Sequence, residues 1–236
     1  MRKQQSGFTL VEIAIVLVII GLLLGGVLKG QELINSAKVK NMVSDFRTVS
    51  SLTYGYQDRF KSLPGDQTQA QVTVGLGTDA GGNPLGTACT GAPSASCAPN
   101  NGRIDGDWNA TTAASETFVF WQHVRLANLA TGPTDTTAAE YLPRNADGGR
   151  IGIEGLVVNA GTGAPTPWIA GMRGSFYICS DGILGRNAKQ IDSTMDDGNT
   201  ATGAVQAVPA GSARGAAATA TGAVVDSLQY TVCAAF

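Results

Sequence analysis

The sequence has 236 residues and a formal net charge of −2, and only 14% of its residues are charged, against about 25% in an average protein. This composition excludes a polycationic nucleic-acid binder, and a hydrophobic content of 43% excludes disorder of the whole chain. Glycine, with 31 residues, is about twice as frequent as usual. The length predicts one folded domain with an appended element.

The appended element is an apolar stretch near the amino terminus. From Phe8 to Leu28 the sequence has 16 apolar residues out of 21 and one charged residue, Glu12. A helix rising ~1.5 Å per residue over this stretch spans a ~30 Å hydrocarbon core, whereas a secretory signal has only ~7 to 15 apolar residues. Residues 8–28 are therefore predicted to cross a membrane. At bilayer depth a carboxylate costs ~2.5 to 3.5 kcal/mol, so Glu12 needs a partner or must lie near the headgroups.

The helical pattern continues beyond the apolar stretch to residue 60. No proline occurs before Pro64, and a helix over 8–60 is ~80 Å long, too long for a domain of this size to cover. Residues 29–60 are predicted to be amphipathic, while the first half must pack elsewhere. Apolar and aromatic residues spaced three and four apart define the buried face: Val39, Met42, Phe46, Val49, Thr53, Tyr56 and Phe60. Four glycines, either close-packing sites or points of local unwinding, interrupt the helix: Gly21, Gly25, Gly26 and Gly30.

The first twelve residues contain a specific motif. A short basic leader, residues 1–7, ends in glycine, and Gly7-Phe8-Thr9-Leu10-Val11-Glu12 resembles the leader and N-terminal helix of bacterial type IV pilins and type II secretion pseudopilins. The resemblance implies cleavage after Gly7 by a prepilin peptidase and methylation of the new amino group on Phe8. It also implies that Glu12 pairs with the Phe8 ammonium of a neighbouring subunit, so that two buried charges form one pair.

The same resemblance implies a location and a function. Residues 1–7 are a removable leader, residues 8–60 a membrane-anchored helix, and residues 61–236 a globular, pilin-like head. The chain is expected to begin as a single-pass protein of the bacterial inner membrane with a cytoplasmic amino terminus. An assembly platform then incorporates it, with other pilins, into a helical filament in the periplasm or on the cell surface. The basic residues that follow the apolar stretch oppose this orientation by the positive-inside rule, and the leader motif decides it.

Several functions within and outside this family remain open at this point. The sequence does not distinguish a type IV pilus from a type II secretion pseudopilus, because Lys29 stands where many family members have proline. A minor pilin or adhesin at a filament tip and a DNA-uptake pilus subunit are alternatives. A membrane-anchored periplasmic enzyme is a further one, but the sequence has no GxSxG, HExxH or GxxxxGK motif. We expect a structural subunit without enzymatic activity and without a nucleic-acid partner.

The head is predicted to be α+β, with the long helix packed on a small antiparallel sheet. Helix breakers mark a turn at 62–66, and Gly-, Ala- and Ser-rich sequence predicts loops at 73–106 and an exposed flap at 198–222. A second helix is predicted from Glu116 to about Ala130, with Ser115 as its N-cap and His123 as a structural residue near the sheet. Clusters of apolar, aromatic and β-branched residues predict strands at 151–158, 171–179 and 224–233.

Four cysteines in a domain outside the cytoplasm predict two disulfides. Three pairings are open, and we prefer Cys89 with Cys97 and Cys179 with Cys233. In the chain-entropy model these bonds contribute ~2.5 and ~4 kcal/mol. Without a CxxC motif, a zinc or redox site is not expected.

Two acidic stretches have oxygen side chains at a spacing that a cation could use. Residues 101–107 alternate such side chains, but Arg103 and the lack of a final glutamate argue against an EF-hand. The other stretch has three carboxylates within six residues, and the resemblance implies calcium there, because pseudopilin-like subunits often bind it in the C-terminal region. The alternative is a helix end capped by Gly198 with three solvated acids. No other cofactor is expected. The calcium candidates are Asp192, Asp196 and Asp197.

Overall fold

The computed structural model describes residues 10–90, 96–158 and 165–236. A long first helix followed by a small antiparallel sheet confirms the predicted α+β, pilin-like layout. The elements in chain order are α1 Leu10–Phe60, α2 Gln69–Leu76, α3 Glu116–Leu126, β1 Ile151–Gly155, β2 Val157–Val158, β3 Pro165–Thr166, β4 Phe176–Leu184, α4 Gly185–Met195, β5 Val205–Pro209 and β6 Gln229–Ala235.

The chain divides into two units between Lys38 and Val39. In the first unit, every residue from Leu10 to Lys29 is exposed, although nearly all are apolar. A buried face is therefore absent from this part of α1, and its side chains require an apolar environment outside the single chain.

The second unit begins with the remainder of α1, which lies in the main hydrophobic core. Its buried apolar residues recur every three or four positions, as a helix with one covered face requires. Thr53 is also fully buried on this face, and its hydroxyl donates to the Val49 carbonyl oxygen. This hydrogen bond satisfies the only polar group that Thr53 adds to the core. The buried apolar residues are Val39, Met42, Val43, Phe46, Val49 and Tyr56.

The main sheet has the strand order β1-β4-β6-β5, and all neighbouring strands are antiparallel. Side chains alternate between its two faces, so that Ile178 joins the main core with α1, α3 and α4 while the adjacent Cys179 joins a second core. Loops rather than helices cover the second face. Trp108 and Trp168 pack there edge to face, with their ring centroids 5.6 Å apart. The sheet is thus buried on both faces.

Helix α3 begins at Glu116, as predicted, but ends earlier than predicted. It ends at Leu126 rather than Ala130, because Asn128 adopts a left-handed conformation with a φ of 58°. Ser115 is the N-cap residue, as predicted, but its side chain makes no capping hydrogen bond to a backbone N–H of the first turn. Its hydroxyl bonds to Thr117 at 2.7 Å and to the Asp105 carbonyl oxygen at 3.4 Å instead.

The predicted loops and strands also need correction. The flap at 198–222 contains β5, whose residues 205–208 are buried, and the predicted loop at 73–106 begins inside α2. The strand predicted at 151–158 is two strands, β1 and β2, separated at Leu156. The other two strands begin later than predicted, at Phe176 and Gln229; α2 was missed, and α4 was considered only as the helix end in the alternative for the second acidic stretch.

The buried face of α1 gives the first testable prediction. Phe46 is 1% exposed. Replacing it by alanine should lower the free energy of unfolding by about 3 to 5 kcal/mol, because the substitution leaves a cavity in a packed core. Urea unfolding of the full chain in detergent micelles measures this loss. The neighbouring exposed Arg47→Ala variant is the control and should change stability by less than ~0.5 kcal/mol. Equal effects of the two variants would contradict the assigned face.

Candidate functional site

The first part of α1 is long and apolar enough to cross a membrane, and its apolar side chains are not buried within the fold. Gly7 and Phe8, the predicted cleavage site, lie outside the described residues. Glu12 is exposed and lies in the first turn of α1 that the structure describes. It is therefore near the amino-terminal, positive end of the helix dipole, which favours a negative charge. At the other end of the apolar stretch, Lys29 pairs with Glu32 at 2.7 Å. Charged groups therefore mark both ends of this segment.

The two disulfides join the cysteine pairs that the sequence analysis preferred, Cys89 with Cys97 and Cys179 with Cys233. Cys179 and Cys233 face each other across β4 and β6, in the core of the loop-covered face. This bond links two neighbouring strands that are 54 residues apart in sequence, and so removes conformational freedom mainly from the unfolded chain.

The three calcium candidates lie together at the end of α4, with carboxylate oxygens all within 4.8 Å of one another. Asp192 is fully buried, and neither of its carboxylate oxygens makes a hydrogen bond of normal geometry. Burial and the charges of Asp197 and Asp196 raise the pKa of Asp192 to about 6. The helix ends at Met195, with Asp196 rather than Gly198 as its C-cap, so the alternative of a Gly198-capped end with three solvated acids is wrong.

The other two acids of this cluster also organise the chain that follows. Asp196 accepts backbone N–H groups from Ala204 and Val205, at 2.5 and 3.0 Å, and so holds the start of β5. Asp197 accepts the Asn199 N–H at 2.8 Å and the Thr202 hydroxyl at 2.7 Å. A carboxylate oxygen has more than one lone pair, so these bonds leave acceptor capacity for a cation. The set of hard oxygen ligands fits calcium.

In the other acidic stretch, residues 101–107, the oxygen side chains do not point to a common cation site. The Asn101 side chain accepts the Arg103 N–H and donates to Asp105, while Asp107 pairs with Arg214 at 2.7 Å. Each group is used within the fold, in agreement with the sequence argument against an EF-hand.

The comparison with protein families decides the nature of the N-terminal segment. Residues 2–28 match the family model described as the prokaryotic N-terminal methylation motif. The chain carries the leader signature of type IV pilins and pseudopilins. No curated protein and no solved structure matches the chain. This signature supports a precursor of the type IV pilin or pseudopilin type and, with the apolar helix, fits a membrane-anchored chain; subunits that carry the signature are structural.

The head contains buried carboxylates that sequence reasoning missed. Glu154 in β1 is fully buried and accepts the backbone N–H groups of Trp108 and Trp168, at 3.1 and 2.9 Å. Arg214 donates to the same carboxylate at 2.7 Å and lies over the Trp168 ring. Burial raises the pKa of Glu154 to about 7, although Arg214 opposes this shift. The network fixes three loops to β1, and the only sequence signal was an acidic residue in an otherwise apolar strand.

A second missed carboxylate lies at the start of α3. Glu116 is fully buried and accepts the backbone N–H groups of Ala98 and Asp105, both at 2.8 Å. Asp66, from the predicted turn, similarly accepts N–H groups of Asn101 and Gly102, at 2.9 and 2.7 Å. Burial raises the pKa of both carboxyls. Within residues 98–105, these two carboxylates accept four backbone N–H groups that no helix or strand hydrogen bond satisfies.

His123, the only histidine, is fully buried on α3 and makes its hydrogen bonds to loops rather than to the sheet. Its Nδ1 accepts the Gly65 N–H at 3.0 Å, which leaves the proton on Nε2 to be donated to the Thr87 carbonyl oxygen at 2.9 Å. Burial lowers the pKa of His123 to about 4. A neutral imidazole bonded to two backbone groups holds the turn at Gly65.

This buried imidazole predicts a specific pH dependence. Between pH 6.5 and 4 the unfolded chain binds a proton at His123 that the folded head does not, so His123 lowers stability as pH falls, by about 1.4 kcal/mol per unit. Urea unfolding of the full chain in micelles should show the advantage of wild type over His123→Gln shrinking from pH 7 to pH 4.5. Other groups titrate equally in both proteins and cancel in the difference. Parallel pH curves would contradict a neutral, buried His123.

Proposed function

We propose that this protein is a structural subunit of a type IV pilus or type II secretion pseudopilus. A prepilin peptidase cuts the chain after Gly7, Phe8 becomes N-methylphenylalanine, and an inner-membrane assembly platform adds the subunit to a helical filament of pilins. The observation that carries the proposal is the methylation-motif match over residues 2–28, on a helix whose apolar side chains are exposed in the single chain.

The assembly mechanism follows from the single charge in the apolar stretch. A carboxylate in hydrocarbon is costly alone, and a positive amino terminus at the same depth is costly for the same reason. When Glu12 of one subunit pairs with the Phe8 ammonium of its neighbour, the two buried charges form one hydrogen-bonded pair. Apolar contacts between helices then supply most of the contact area, while the ion pair selects one arrangement.

The disulfides support the proposed location of the head. Disulfides persist in oxidising compartments such as the periplasm and the cell surface and are rare in the cytoplasm. Both bonds lie within residues 39–236. We therefore place the leader in the cytoplasm, the apolar stretch in the inner membrane, and the head in the periplasm before assembly into a periplasmic or surface filament.

Two substitutions separate processing from assembly. In cells that produce the filament, Gly7→Asp should block cleavage, so that the mass of the chain retains residues 1–7. Glu12→Ala should be cleaved normally but should reduce incorporation into sheared filaments at least tenfold, because the buried ammonium loses its partner.

Glu32→Ala is the matched control, since Glu32 lies on the same helix, is exposed and pairs with Lys29. It should be cleaved and incorporated like wild type. Wild-type incorporation of Glu12→Ala would refute the assembly mechanism, and normal cleavage of Gly7→Asp would refute the assigned cleavage site.

Calcium binding by the cluster at the end of α4 is the second part of the proposal. A fully buried carboxylate whose two oxygens make no hydrogen bond of normal geometry is costly, and a cation held with Asp196 and Asp197 would compensate that cost. Because Asp196 also holds Ala204 and Val205, calcium bound here would strengthen the connection between α4 and the edge strand β5. The ion would have a structural role.

Thermal unfolding of the full chain in micelles tests the calcium site. Calcium at 100 times its dissociation constant should stabilise the wild-type head by ~2.7 kcal/mol, and Asp192→Asn should abolish that increase. The effect should weaken below pH 6, where a proton competes for Asp192. Asp58→Asn, at an exposed position on α1, should respond to calcium like wild type. If calcium produces neither heat on titration nor a change in melting temperature, the site does not exist.

A further inference from the structure

The head has an open groove between the second half of α1, helix α3 and the segment that leads into β1. Its volume is about 420 Å³, and its base consists of the buried side chains Val49, Trp121 and Ile151. Half-buried Leu52 and Leu129 form its apolar walls. The groove lies entirely within residues 39–236, and none of the contacts described above fills it.

Charges of both signs line this groove. Asp45 on α1 is half-buried, and burial raises its pKa to about 6, so the groove offers its carboxylate little solvation. Arg144 is exposed, and its guanidinium donates to the Gly148 carbonyl oxygen at 2.9 Å. Arg125 is buried, and its guanidinium already donates to the carbonyl oxygens of Pro133 and Tyr141. Asp45 and Arg144 are thus the two charges able to meet a partner.

A second surface of the head exposes apolar side chains beside charges of both signs. The turn Val225–Leu228 exposes two aliphatic side chains, with Val225 49% and Leu228 56% exposed. Hydrogen bonds hold the turn rigid: the Leu228 N–H donates to the Val225 carbonyl oxygen, and the Val225 N–H donates to the Tyr230 hydroxyl at 2.9 Å. Asp226 and Lys189 form an ion pair beside it at 2.8 Å. The turn is therefore a preorganised apolar projection with one charge of each sign.

We propose that the groove binds the Val225–Leu228 turn of a second copy of this chain. The two aliphatic side chains enter between Leu52 and Leu129, while Lys189 approaches Asp45 and Asp226 approaches Arg144. The inference rests on the proposed filament function and assigns the contact between neighbouring heads. Preorganisation of the turn lowers the entropy lost on binding.

The symmetry of this contact fits a filament. The groove and the turn share no residue, so the contact is heterologous: each head offers a groove to one neighbour and a turn to another. A heterologous contact that does not close into a ring continues as an open helix. A self-complementary surface would give closed dimers instead. The small size of the contact suits an assembly in which the N-terminal helices supply most of the buried area.

Cysteine crosslinking within assembled filaments tests the contact directly. The four native cysteines are all in disulfides, so new thiols have no other free thiol to pair with. Two differently tagged chains, one with Thr48→Cys at the groove and one with Ser227→Cys on the turn, are produced together and mildly oxidised. We expect a dimer containing both tags, whereas a chain with both substitutions should give a ladder of multimers. Either variant alone should give neither product.

Charge exchange provides an independent readout. Asp45→Lys and Lys189→Asp should each reduce incorporation into filaments several-fold, and the two together should restore it. Leu228→Glu should likewise reduce incorporation, whereas Val74→Glu, at a position 88% exposed outside both surfaces, should not. Circular dichroism of each variant in micelles verifies that the head is folded.

The outcomes separate this inference from the proposed function. If the variants are incorporated at wild-type levels and no dimer containing both tags forms, the groove–turn contact is wrong while the filament function stands. A crosslink to a different protein would equally overturn the second copy as occupant. If wild-type chain is absent from sheared filaments, the proposed function itself fails, whatever the crosslinking shows.

Discussion

Helix α1 must be covered by two different environments along its length, and the rest of the molecule depends on that constraint. From Leu10 to Lys29 its apolar side chains are exposed, so only lipid or other apolar helices can cover them. From Val39 to Tyr56 one face is buried in the core of the head. The first requirement leads to membrane anchoring and assembly with other subunits. The second determines how the head folds, since its sheet and two further helices contribute to the same core as α1.

The head compensates for a modest amount of regular structure with buried charged groups. Its sheet has helices on one face, but loops cover the other, and loops have backbone groups that no ladder satisfies. Glu154, Glu116 and Asp66 accept six of these N–H groups between them, and Arg214 compensates the charge of Glu154. Removing one partner from such a network leaves the others buried and unsatisfied, so these carboxylates fix the positions of the loops.

Sequence reasoning succeeded where the determining interactions are local. The spacing of Phe46 and its neighbours defines the buried face of α1, because helical periodicity needs no information from distant residues. It missed β5, which is short and acquires its structure from pairing with β6. It also missed the role of Glu154, whose cation is 60 residues away. An isolated acid in a sequence resembles a solvated group, and only the fold shows that it is enclosed.

Assembly of such a chain requires contacts that fix position as well as contacts that supply area. Apolar helices in lipid can slide along one another with little change in free energy, since one aliphatic contact replaces another. In the proposed filament, the pair between Glu12 and the neighbouring amino terminus forms at one offset only, and so would define the axial register that the surrounding side chains leave undefined. It does not define the rotation of each head about the filament axis. That rotation requires a second, directional contact on the head, and a rigid turn entering a groove with complementary charges has the necessary directionality.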